Sequence, residues 1–264
     1  MSASRSIGIR PSVMNSASYI VCTSPRSGST LLCRMLAATG VAGDPESLFY
    51  RPALDDWMTR LDVHPQGTTE RERLDLIMQA AIRRGRGETP VFGLRQQRPS
   101  FDFLCRQLAI LHPGATTDLD RIERTFGPTR FIHLTRPDKL DQAVSYLKAQ
   151  QTGLWHVAAD GSEWERTAPP RAPVYDAARI SDCVDMLDGY DRGWNAWFHR
   201  EGIEPVRITY DELSDAPGAT LRLVLERLGL DPRAADGIEP EVGRMADATS
   251  RDWIDRFRAG TAQR

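Results

Sequence analysis

The residues best suited to chemistry are Thr23-Ser24-Pro25-Arg26-Ser27-Gly28-Ser29-Thr30. Against the phosphate-loop pattern GxxxxGK[ST], Thr23 replaces the first glycine, Gly28 keeps the second, Ser29 replaces the lysine and Thr30 keeps the hydroxyl. A loop between a strand and a helix start aims several N–H groups at one point, where the helix dipole favours an anion. Gly28 lets the backbone come close, the hydroxyls add donors, and Arg26 supplies the charge that the missing lysine would have given. The loop is built to hold an oxyanion such as a phosphate. An ordinary tight turn is the competing reading of Arg26 and Gly28.

A second pair lies further along the chain. Arg136 follows the apolar run Phe131-Ile132-His133-Leu134, and Ser145 comes nine residues later. In a phosphoryl-transfer enzyme of the loop type, this strand would end in an Asp for Mg²⁺. Here it ends in a group that binds anions. If the chain folds back, Arg136 and Ser145 meet on one further phosphate, and the whole suits a ligand phosphorylated at two places. Taken alone, an arginine at a strand end reads as readily as a surface ion-pair member.

The elements that must position these residues follow from the apolar pattern. Strands are expected over residues 19–22, 90–94, 130–134 and 205–209. Helices are expected from Thr30 to Ala38 and over residues 53–61, 70–84, 100–111, 120–126, 139–151, 176–200, 215–228 and 250–258, with Asp215 as a cap. Residues 152–174, with Gly, Pro, charges and two tryptophans, read as a long loop or lid. Alternating strands and helices predict an α/β, P-loop-like three-layer fold, its central parallel sheet of four to five strands flanked by helices. Residues 1–17 read as a flexible arm and 18–264 as one domain.

Composition narrows the function. The 264 residues carry 34 basic and 36 acidic side chains, a net charge of −2, with 41% hydrophobic and 27% charged residues. That describes an ordinary globular protein and argues against a dedicated nucleic-acid binder. Lysine occurs only at Lys139 and Lys148, so anion contacts fall mostly to guanidinium groups. Cys22, Cys33, Cys105 and Cys183 are widely spaced without a CxxC pair and read as buried thiols. No apolar stretch is long enough to span a membrane, residues 1–17 lack a signal-peptide core, and a cytoplasmic location is expected. The five histidines show no metal-ligand spacing, so no metal is expected.

The stretches SPRSGSTLLCRMLAATGVAGDP, HLTRPDKLDQAVSYLKAQQTGLW, GWNAWFHREGIEPVRITYDEL and SRDWIDRFR together are far more specific than the loop alone. Over residues 19–257 the sequence resembles the PAPS-dependent sulfotransferases, in their bacterial carbohydrate branch, the Stf0 type. The resemblance implies PAPS (3′-phosphoadenosine 5′-phosphosulfate) as co-substrate and a carbohydrate or glycolipid hydroxyl as acceptor. It implies that Ser24, Arg26, Ser27, Gly28, Ser29 and Thr30 hold the 5′-phosphosulfate and that Arg136 and Ser145 hold the 3′-phosphate. The TYDEL segment (209–213) matches a family strand-end motif read as structural. A homodimer is likewise implied by the family alone.

Stf0-type proteins resemble one another in a glutamate after the G-x-P turn that serves as general base. Ungapped alignment sets Ser47 there, with Glu46 one residue earlier; the expectation is that Glu46 acts as base and Arg26 as the charge-stabilising group. His133 is the reserve base, although its place in a strand suits a structural role. Trp155 suits either stacking on a sugar face or packing in the lid, and Asp118-x-Asp120 is expected to cap a helix rather than bind metal. Two other classes stay open. A kinase-like P-loop transferase would need Mg²⁺ and the absent lysine, and a non-catalytic nucleotide-binding member would have lost its base.

Overall fold

The computed structural model describes residues 18–242 and 247–261; the expected arm, residues 1–17, lies outside them. Strand β1 (Ser18–Thr23) is buried along its whole length, as its apolar run requires of a strand covered on both faces. Helix α1 (Ser29–Ala38), α2 (Leu54–Leu61) and α3 (Glu70–Arg86) follow, then β2 (Phe92–Gln97), α4 (Arg98–Leu111), α5 (Asp118–Phe126) and β3 (Thr129–Thr135). The chain continues through α6 (Lys139–Thr152), β4 (Leu154–Val157), β5 (Glu163–Arg166), α7 (Ala177–Glu201) and β6 (Val206–Thr209). It closes with α8 (Tyr210–Asp215), α9 (Pro217–Leu228) and α10 (Ala248–Thr261).

The central sheet has four parallel strands in the order β2-β1-β3-β6. Side-chain alternation along β1 divides the core. Ile20 and Cys22 face one apolar cluster with Phe92, Leu94, Phe101, Trp194 and Phe198, while Tyr19 and Val21 face another with Leu32, Leu36, Ile208 and Leu221. Helices therefore cover both faces, giving the three layers expected from the sequence. Trp194 on α7 does more than fill the core. Its indole N–H donates to the Thr23 carbonyl at 2.9 Å, fixing the point at which β1 gives way to the loop before α1.

Several local expectations need correction. Residues 152–174 are not all loop: β4 and β5 form an antiparallel two-stranded hairpin. Strand β2 runs on to Gln97 rather than stopping at residue 94, because it pairs with β1 as far as Thr23. Asp215 does not cap a helix. The run Thr209-Tyr210-Asp211-Glu212 closes a reciprocal capping box, which starts α8 at once and leaves Asp215 as its last residue. Helix α9 then begins at Pro217, suited to a first helical turn. Thr117, not an aspartate, caps α5, accepting from the Asp120 N–H at 3.1 Å. Asp118 instead takes Arg121 and Arg200 (both 3.0 Å) and the Trp197 indole N–H (3.2 Å), tying α5 to α7.

The four cysteines are buried free thiols. Among the described residues no helix is long and apolar enough to cross a membrane.

Candidate active site

The loop between β1 and α1 lies at the carboxyl edge of the sheet, where parallel α/β folds place their ligands. Two of its residues take left-handed backbone, Arg26 at φ 62° and Gly28 at φ 87°. Gly28 is required twice over: a Cβ there would lie 2.6 Å from Tyr210 Cδ2. Helix α1 starts with no side-chain cap and no acidic residue in its first turn, so its amino end offers N–H groups and a positive dipole to an anion.

Neighbouring elements hold the loop in place. Thr23 and Ser27 share a hydroxyl–hydroxyl hydrogen bond, and Thr23 also donates to the Leu134 carbonyl of β3 at 3.2 Å. From α6, the Gln142 amide donates to Ser24 Oγ (3.0 Å) and to the Pro25 carbonyl (2.7 Å). Asp191 of α7 accepts from Ser24 Oγ at 3.4 Å and pairs with Lys139. Burial raises the Asp191 carboxyl against that pairing, which marks the brace as desolvated.

The positive groups converge here. Arg26 Nε donates to Ser145 Oγ at 3.0 Å, and its NH1 donates to the Trp155 carbonyl. Arg136, 8% exposed, donates from NH1 to the Arg26 carbonyl at 3.2 Å, pairs with Asp141 and lies 4.3 Å over the Tyr210 ring. Burial and the neighbouring Arg136 lower the Arg26 pKa to about 10, still charged at neutral pH. Arg136 thus adds positive charge beside Arg26 in a desolvated corner, an electrostatic setting that favours an anion. Arg26, Arg136 and Ser145, selected from three separate stretches of sequence, are brought together.

Glu46 is placed differently. Its backbone pairs with Leu94 beside β2, and its carboxylate is held by Arg60 and Arg84, both at 3.0 Å. Ser47, the next residue, points the other way and accepts from Arg95 Nε at 2.7 Å. Arg95 NH1 in turn donates to Thr30 Oγ1 at 2.7 Å. The side chain linked to the loop is therefore Ser47, through Arg95. His133 is buried, with Arg207 (3.1 Å) and the Phe198 ring (5.2 Å) as its partners rather than the loop. Trp155 donates its indole N–H to Thr167 within the hairpin at 3.1 Å.

Sequence reasoning missed Arg95 and His156. Arg95 sits at the carboxyl end of β2, beyond the apolar run by which the strand was recognised. The signal that would have found it is position: parallel strands deliver side chains to a site at that end. His156 lies on β4 with Nε2 3.0 Å from Thr30 Oγ1. Burial, Arg26 and Arg95 hold its pKa down to about 3.

Comparison with known proteins gives the family. A trehalose 2-sulfotransferase of Mycobacterium tuberculosis (strain Erdman) is 31% identical over 266 residues, covering 91% of this chain and 94% of its own length. One from Mycolicibacterium smegmatis is 32% identical over 262 residues with the same coverage. A sulfotransferase domain from the Synechococcus PCC 7002 olefin synthase aligns over 91% of this chain and 86% of that domain, at 16% identity and a TM-score of 0.40, too loosely to bear on the site. The family profile described as Stf0 sulphotransferase matches residues 18–260, a span that takes in the loop, Arg95, Arg136, Ser145 and His156. The chain belongs to the Stf0 sulphotransferase family.

Proposed function

We propose that the protein transfers the sulfuryl group of PAPS to a hydroxyl of a sugar. Trehalose, named in both mycobacterial relatives, is the first acceptor to try, and a glycolipid the second. The observation that carries this reading is the convergence of Arg26, Arg136 and Ser145 at the amino end of α1. Residues Ser24 to Thr30 hold the 5′-phosphosulfate, and Arg136 and Ser145 take the 3′-phosphate.

In the reaction, the hydroxyl oxygen attacks sulfur in line with the bond to the 5′-phosphate. That S–O bond breaks, its electrons stay on the phosphate oxygen, and adenosine 3′,5′-bisphosphate (PAP) departs. Arg26 and the α1 dipole stabilise the charge that grows on the leaving phosphate. Glu46 takes the hydroxyl proton at Oε2, which accepts one hydrogen bond from Arg60 and keeps a lone pair, whereas Oε1 accepts two from Arg84. A sulfuryl group carries less charge than a phosphoryl group, and Arg136 directly follows β3 where a Mg²⁺-binding strand would offer Asp, so the reading requires no metal. The protein works in the cytoplasm, as a homodimer if it follows the family.

The test is incubation with radiolabelled PAPS and a panel of sugars headed by trehalose. Labelled sugar and an equal amount of PAP are expected. Tight PAP binding with no transfer to any sugar or glycolipid would move the protein to the non-catalytic class, a reading favoured by the loop-facing Ser47 and the arginine-bound Glu46. Preference for ATP·Mg²⁺ over PAP would move it to the kinase-like class.

A further inference from the structure

The β4–β5 hairpin sets an imidazole against the phosphate loop. His156 stands opposite Glu165, and the ladder slips on both sides of it, an irregularity of the kind that re-aims a side chain. Its Nε2 lies 3.0 Å from Thr30 Oγ1 and 3.5 Å from the Glu165 carboxylate. Arg95 donates to the same Thr30 oxygen from β2 at 2.7 Å. Arg26 ties the hairpin down from the loop through the carbonyl of Trp155, the preceding residue. The charged groups facing the imidazole are thus Arg26 from the loop, Arg95 from β2 and Glu165 from β5.

The valences of the Thr30 hydroxyl decide what this arrangement does. A hydroxyl has one proton and two lone pairs. Arg95 occupies one lone pair. The Glu165 carboxylate, 3.5 Å from Nε2, favours the tautomer with a proton on that nitrogen. His156 then donates, and the second lone pair is occupied too. All that the hydroxyl has left to offer a ligand is its proton.

We propose that His156 is a positioning residue which, together with Arg95, makes Thr30 an obligate hydrogen-bond donor to the anion held at the amino end of α1. The inference rests on the donor reading above. Nε2 donates whether the ring is neutral or charged, so the role needs no protonation step. Burial and the two guanidinium groups keep the ring neutral over the working pH range.

PAP titration by calorimetry tests this without an acceptor. His156→Phe is expected to bind PAP about 3- to 10-fold more weakly, the worth of one hydrogen bond. His156→Gln, whose amide N–H can donate in its place, is expected within about twofold of wild type. In a Thr30→Val background His156→Phe should cost nothing more, because the two side chains act as one unit. The ratio of variant to wild type should also stay constant between about pH 7 and pH 9. If His156→Phe does not fold, His156→Ala replaces it with the same expectations. Wild-type affinity in His156→Phe, or an undiminished loss in the Thr30→Val background, overturns the proposal alone. Failure of the wild-type protein to bind PAP overturns the donor reading and the proposal with it.

Discussion

Arg136 NH1 donates to the backbone carbonyl of Arg26 at 3.2 Å, so the second arginine braces the peptide that carries the first. That peptide needs bracing: Arg26 has φ 62°, a left-handed conformation costing a non-glycine residue about 1–2 kcal/mol. Arg136→Ala removes both a charge and the brace. PAP affinity is expected to fall by about 10- to 150-fold, the range for a charge-assisted hydrogen bond. Arg136→Lys should recover only part, since an ammonium cannot reach the carbonyl, Asp141 and a phosphate with one planar fork. Titration calorimetry decides, and an unchanged affinity in Arg136→Ala would remove this residue from the donor site.

Arg26 itself is the group asked to answer charge on the leaving phosphate. Arg26→Ala should largely abolish turnover even with PAPS saturating, a loss of about 10²–10³-fold by comparison with other preorganised donors. Rates measured at two PAPS concentrations, both above saturation, separate this from weakened binding. Near wild-type turnover would end the assignment.

For Glu46 the two assays should part company. Glu46→Gln is expected to lower turnover by about 10²–10⁴-fold, the usual worth of a general base, and to leave PAP affinity unchanged. Its ion pairs with Arg60 and Arg84 are partly exposed, so stability should fall by no more than about 1 kcal/mol. Wild-type turnover in this variant would take Glu46 out of the mechanism and turn attention to what Ser47 and Arg95 hold.

His133 predicts a pH dependence of stability. Burial, with Arg207 and Lys139 nearby, pushes its pKa from 6.5 down to about 4. The unfolded chain therefore takes up a proton before the folded one does as pH falls. Stability contributed by the neutral ring is complete above about pH 6.5, declines as pH falls through the window to about 4, and levels off below it, for a total of about 3 kcal/mol. Urea unfolding of wild type and His133→Gln across that window should show a shallower decline in the variant. His156 has the same sign, so part of the slope should remain.

The strand–loop–helix unit, the alternation of elements and the candidates Arg26, Arg136 and Ser145 were legible because each rests on local pattern: an apolar run, a glycine at a helix start, an arginine closing a strand. The hairpin was not. Neither of its four-residue strands has a buried face, β4 being half-buried throughout and β5 mostly exposed, so there is no alternation to read. Arg95 and His156 escaped for a related reason, since their importance comes from contacts with Thr30 made across the fold. Asp215 misled because its residue type suits a cap, while the Thr209–Glu212 capping box had already begun a helix. The departure at Glu46 and Ser47 was visible as a one-residue ambiguity. Which of the two faces the loop needed β2 and Arg95 beside it.

The Tyr210 ring fills the space that a Cβ at position 28 would need and also lies beneath Arg136. The loop between β1 and α1 is therefore not a detachable cassette. Grafted onto another α/β scaffold, residues 23–30 would arrive without the ring that their glycine was shaped to meet. The arginine that braces them would lack its platform as well. For a protein engineer the unit of exchange is the loop together with the start of α8, two segments far apart in the chain that work as a single part.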